Sequence, residues 1–229
     1  MKKRLPFTAL ELVLVCAVAA ILLSISLPAF YNISAGRRIT GAASTIAANI
    51  SLARARAVSD NIYTALIFPS TDDTLSLPDD SKLANTSLRL AEVRKKKISD
   101  TSFTFVFVKW LDGSPWEGIG DGVVIPPDGT TKNFREGASE DPSYPVSGVD
   151  FSDVGGTASA SVARTIIFSP RGQILTGSAV TQMYIRAAEG TKVPGSSSFT
   201  LKKTGTETTY AVLTVNPLSG RTAVSYVSE

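Results

Sequence analysis

The sequence predicts an α+β protein: one long N-terminal helix, its first half transmembrane, packed against an antiparallel β-sheet domain. Three observations predict it. Between Leu12 and Leu27 the only polar residues are Ser24 and Ser26. Farther on, Ile39, Ala42, Ala43, Ile46, Ile50, Ala53 and Ala57 recur at three-and-four spacing, the stripe of a helix with one apolar face. After Asn61 the pattern changes to short apolar runs punctuated by Gly, Pro, Asn and Asp, which reads as strands and turns.

Residues 1–6 form a short basic leader containing Lys2, Lys3 and Arg4. Residues 7–30 come next as the transmembrane half of the helix, close to the ~20 apolar residues a bilayer crossing needs. The basic residues ahead of it place the N-terminus in the cytoplasm and send the rest of the chain across. A cleaved secretory signal would end in a small-residue cleavage site and a break. Here the helical pattern runs on through AFYNISAGRRITGAASTIAANISLARARAVSDN, so residues 31–61 are expected as the amphipathic half of the same helix. A helix from Phe7 to Ser59 would be on the order of 80 Å long. Two residues stand out in it. Pro28 removes one backbone hydrogen bond and favours a kink. Glu11 sets a carboxylate inside an apolar run, where an ionised acid is costly unless it finds a cation.

Residues 62–229 are expected to form the β-rich domain. TSFTFVFVKWL is the clearest strand, with Phe103, Phe105 and Phe107 alternating with Thr104, Val106 and Val108. Further strands are expected at Ile62 to Phe68, Ser87 to Val93, Gly122 to Ile125, Arg164 to Phe168, Met183 to Ala187, Ala211 to Asn216 and Thr222 to Val227. A Gly/Pro/Ser/Asp-rich insert at about residues 111–160 interrupts them, and a long excursion of that kind is expected to be a functional loop or a disordered insert.

Composition excludes several functions. There is no histidine, so the commonest general base and metal ligand are both missing. One cysteine, Cys16, rules out an intrachain disulfide and a Cys/His zinc cluster. The acidic pairs Asp72-Asp73, Asp79-Asp80 and Glu140-Asp141 lie in turn-like context and show no calcium-loop spacing. No catalytic residues, metal site or cofactor are therefore expected. The chain has 23 basic and 20 acidic residues, and Lys2, Lys3 and Arg4 account for the excess. The basic run Arg94 to Lys97 reads as a solvated strand end.

The segment FTALEL, a short basic leader before it and the proline at Pro28 together resemble the class III signal of type IV pilins and type II secretion pseudopilins. The resemblance implies cleavage between Pro6 and Phe7 and N-methylation of Phe7, although the family has Gly where this chain has Pro6. Ala53, Arg54, Ala57 and Asn61, with the later segments TIIFSPRGQIL and NPLSGRTAV, are similar to the FimT/GspH minor pilins and pseudopilins. Together these resemblances imply a non-enzymatic, pilin-like subunit of a short filament in a type II secretion or type IV pilus system, acting in priming or at the tip.

The partners so implied are a prepilin peptidase, other pilin-like subunits, and an inner-membrane assembly platform with its ATPase. The implied location is the inner membrane, single-pass, with the globular domain periplasmic or in a filament. Glu11 would pair with the terminal amine of Phe7 in a neighbouring subunit, and Pro28 would let the helix bend in the filament core. Some members of this family bind DNA through a Gly-Arg-x-Arg motif. Gly220 and Arg221 match its first half, while Ala223 occupies the second arginine position. A DNA-binding minor pilin and an ordinary signal-anchored membrane protein are the alternatives.

Overall fold

The computed structural model describes residues 9–69, 83–98, 103–126, 149–151, 161–162, 164–175, 182–192, 199–203 and 206–228. Helix α1, Ala9–Ser59, opens the chain. Its end is built by Asn61, which adopts φ 55° just past the last turn. The Ile62 N–H then reaches back to the Ala57 carbonyl at 3.2 Å, the six-to-one bond of a left-handed helix cap. Among the described residues twelve strands come after it: β1 (Tyr63–Ile67), β2 (Ser87–Lys97), β3 (Phe103–Trp110), β4 (Glu117–Gly118), β5 (Val123–Val124), β6 (Val149–Asp150), β7 (Ser161–Val162), β8 (Thr165–Phe168), β9 (Met183–Lys192), β10 (Phe199–Leu201), β11 (Thr209–Val215) and β12 (Thr222–Ser228).

The strands make two sheets. The first runs β7-β6-β3-β2-β1-β8 with β4 added on β2; the second runs β10-β9-β11-β12 with β5 added on β9. Pairing is antiparallel except between β3 and β6, where Phe105 lies opposite Val149 in a parallel register. The chain divides into two compact units, residues 1–37 and residues 38–229.

Within the second unit the helix stripe is the centre of the core. Ile46, Ile50, Ala53 and Ala57 have no exposed surface, and Ile39, Ala42 and Ala43 are at most 4% exposed. They pack in one cluster with Leu66 and Phe68, Leu88 and Leu90, and Ile166 and Phe168 of the first sheet region. The same cluster takes Ile185, Ala211 and Leu213 from the second. The small residues let the helix backbone lie close to both sheets, and each fully buried Ile, Leu or Phe contributes about 1.5–3 kcal/mol.

Polar ties support that packing. The Asn49 side-chain amide donates to the Glu117 carboxylate at 2.9 Å, Arg38 pairs with Glu189 at 3.6 Å, and the Tyr226 hydroxyl donates to Thr40 at 3.1 Å. On its opposite face the first sheet buries Ala65, Ile67, Ala91, Val93, Phe105, Phe107, Val149, Phe151 and Ile167. Beside this second layer the Arg89 guanidinium stacks over Trp110 at 4.4 Å and donates to the Ser114 carbonyl at 2.7 Å. Burial lowers its pKa from the usual arginine value.

The predicted class is corrected here. The body is predominantly β, and its strands divide between two sheets, one of them with a parallel pair, in place of a single antiparallel sheet. Helix α1 contributes its residues from Arg38 onward to that compact unit. The transmembrane half and the single-pass inner-membrane location are corrected as well. Among the described residues no helix is long and apolar enough to cross a membrane. Most of the 111–160 insert lies outside the described residues. The parts described supply β4, β5 and β6, so the region contributes pairing strands as well as loop.

Candidate functional site

Two places carry the residues singled out in the sequence. The first is the beginning of α1. Glu11 lies in the first turn, where the unpaired N–H groups of the helix N-terminus favour a carboxylate. Around it the helix is apolar on every side: Leu10 is 79% exposed, Val13 65%, Ile21 61%, and Leu12, Leu14, Leu22 and Leu23 are similar. A helix of that kind is stable in water only when something covers it. Pro6 and Phe7 lie outside the described residues. The helix runs on through Pro28, whose side chain also lies outside what is described.

The second place is the turn between β11 and β12. Its shape is dictated by Asn216, whose side-chain oxygen accepts from the N–H groups of Leu218 at 3.0 Å and Ser219 at 2.9 Å. The chain then needs a left-handed residue, and Gly220 supplies it with φ 63°. Gly220 is also crowded, because a Cβ there would sit 2.8 Å from Cδ of Arg54. Arg54 in turn donates from Nε to the carbonyl of Gly172 at 3.1 Å, and Gly172 turns at φ 75° against the same arginine and Val58.

One helix arginine therefore props two glycine turns from distant parts of the chain. Beside them lies a groove of about 440 Å³ lined by Ser51, Arg54, Ala55, Val58, Gly220 and Arg221. Arg221 is exposed at its rim. No family model, curated protein or solved structure matches this chain.

The geometry thus brings together three segments that the sequence presented separately: SLARARAVSDN, FSPRGQ and NPLSGRT. Gly220 serves the packing of Arg54. Arg221 is the one member of the predicted pair that faces solvent. Sequence reasoning singled out Arg54 together with Ala53, Ala57 and Asn61 but missed its position at this junction. Glu11 is in the other compact unit and stands apart from this junction in kind. The basic run Arg94 to Lys97 is an exposed strand end, all four residues being open to solvent, with the Lys95 ammonium 3.6 Å from the Phe103 ring centroid.

Substituting Gly220 by valine is expected to lower stability by about 1–3 kcal/mol, because a β-branched residue is forced to positive φ. Gly41 is a helical glycine with open space at its Cβ position. Gly41→Ala is expected to act in the opposite direction, by about 0.5–1 kcal/mol. Urea unfolding followed by tryptophan fluorescence distinguishes the two; equal midpoints for both variants would show that the Arg54 junction is unconstrained.

Proposed function

We propose that this protein is a non-enzymatic, pilin-like subunit that works by assembling into a short filament, as a minor pilin or minor pseudopilin. The observation that carries the reading is the exposed apolar start of α1 with Glu11 in its first turn. An apolar helix of that length is covered when like helices bundle, and a filament core made from the first helical segments of many subunits does this. Residues 38–229 form a compact unit of their own, distinct from the unit that holds this segment.

Glu11 gives such a bundle its register. A carboxylate and an amine are each costly in an apolar core and less so together. The Phe7 amine becomes available only when the chain is cut after Pro6. The partners on this reading are a prepilin peptidase, other pilin-like subunits, and an assembly platform with its ATPase.

Mass analysis of the N-terminal peptide, from protein isolated with its own peptidase present, tests the reading. An N-methylated peptide starting at Phe7 is the expected result. A start at Met1 or Lys2 in the filament-associated protein overturns it.

A further inference from the structure

We propose that the free edge of β12 is a self-pairing surface, through which two copies of the chain join their β12 strands antiparallel about Ser225. The sheet edges differ sharply in how they are finished. At the ends of the first sheet, β7 is two residues long, and β8 is covered by the bridge from Phe168 to Ile174 and the bond from the Leu175 N–H to the Ile167 carbonyl. In the second sheet β10 is three residues long and runs into Lys202 and Lys203. Short strands, cover and lysines are the usual means of blocking strand addition.

None of these protects β12. It pairs with β11 over its whole length, Thr222 to Ser228, and its other edge meets no strand among the described residues. The strand TAVSYVS has no charge and no proline. Val224 is 41% exposed, Tyr226 53% and Val227 38%.

The hydrogen-bond alternation decides which groups are offered. The Asn216 N–H donates to the Arg221 carbonyl at 2.9 Å. Counting from that bond, Ala223, Ser225 and Val227 turn their backbone groups inward to β11, and Thr222, Val224, Tyr226 and Ser228 turn theirs outward.

A second copy meets this pattern about one centre. With Ser225 opposite the partner's Ser225, Val224 stands opposite the partner's Tyr226, and Thr222 opposite the partner's Ser228. Outward backbone groups then face outward backbone groups at every step. Each Val-Tyr match sets a β-branched side chain against an aromatic one, a favourable cross-strand pair. No like charges are opposed within the strand. A shift by one residue would turn inward-facing backbone groups toward the partner's outward-facing ones and lose the ladder.

The contact uses none of the helix that carries the proposed filament role, so either idea can fail without the other. The test is disulfide trapping in the full chain, in detergent that covers the apolar helix, with Cys16→Ser removing the native thiol. Ser225→Cys places two thiols across a non-hydrogen-bonded pair, about 4.5 Å between Cα atoms and inside disulfide range. Ala223→Cys places them roughly 14 Å apart.

Copper-phenanthroline oxidation is expected to give covalent dimer at Ser225→Cys and at least fivefold less at Ala223→Cys. Val224→Pro removes an outward N–H, which an edge strand tolerates, and is expected to abolish trapping in the Ser225→Cys background. Absence of dimer at Ser225→Cys, or equal trapping at both positions, overturns the proposal whatever the proline variant does.

Discussion

Replacing Glu11 by glutamine is expected to reduce incorporation of the subunit into filaments at least tenfold while leaving the folded globular unit unchanged. The substitution keeps the shape of the side chain and removes only its charge. In the assembled state the Phe7 ammonium would then be left without its anion in an apolar core. Breaking one side of a buried ion pair costs about 3–5 kcal/mol, and each 1.4 kcal/mol is a factor of ten. Before assembly Glu11 is exposed in the first helical turn, where a helix-end interaction contributes about 0.3–1 kcal/mol. The measurement is an immunoblot of sheared filament fractions against total protein, with urea unfolding of the purified chain as the control. Incorporation of Glu11→Gln at the normal level would remove the charge pair from the assembly step.

Phe168→Ala is expected to destabilise the globular unit by about 3–5 kcal/mol, a large share of the 5–15 kcal/mol that holds a typical domain together. Phe168 has no exposed surface. It pairs with Thr64 in the first sheet, bridges to Ile174, and its ring edge lies 3.4 Å from where a Cβ on Gly220 would be. It therefore fills the space where the first sheet, the helix stripe and the β11–β12 turn converge. Truncation leaves a cavity that three elements would have to close at once. Leu218, in the same turn but 74% exposed, is the matched comparison, and Leu218→Ala is expected to stay within about 0.5 kcal/mol. A Phe168 variant that unfolds at the same urea concentration as Leu218→Ala would show that the junction is loosely packed.

Local patterns were legible in the sequence to within a few residues. The seven predicted stripe positions from Ile39 to Ala57 are all buried in the structure, because three-and-four spacing depends only on helix geometry. The expected strands appear at Tyr63–Ile67, Ser87–Lys97, Phe103–Trp110, Val123–Val124, Thr165–Phe168, Met183–Lys192, Thr209–Val215 and Thr222–Ser228. Alternation alone puts Phe103 on the buried face with Phe105 and Phe107, yet it is 44% exposed because it lies at the strand's outer end. The short strands β4, β6, β7 and β10 had no legible signal, since two or three residues carry no period.

Of the candidate sites, Glu11 was visible as an acid in an apolar run, and Gly220 as a turn glycine beside an arginine. That Gly220 belongs to Arg54 was not visible, because Arg54 lies far from it in the chain and meets it only in the tertiary structure. The sequence by itself determined the helix, its buried face and the places where the chain extends and turns, all of which are set by neighbouring residues. The tertiary structure decided how the strands divide between two sheets, that β3 pairs in parallel with β6, where the compact unit begins on the helix, and which edge is left open at β12. Those depend on hydrogen bonds between residues as distant as Phe105 and Val149, whose pairing is chosen by competition among all strands and is not encoded in any one of them.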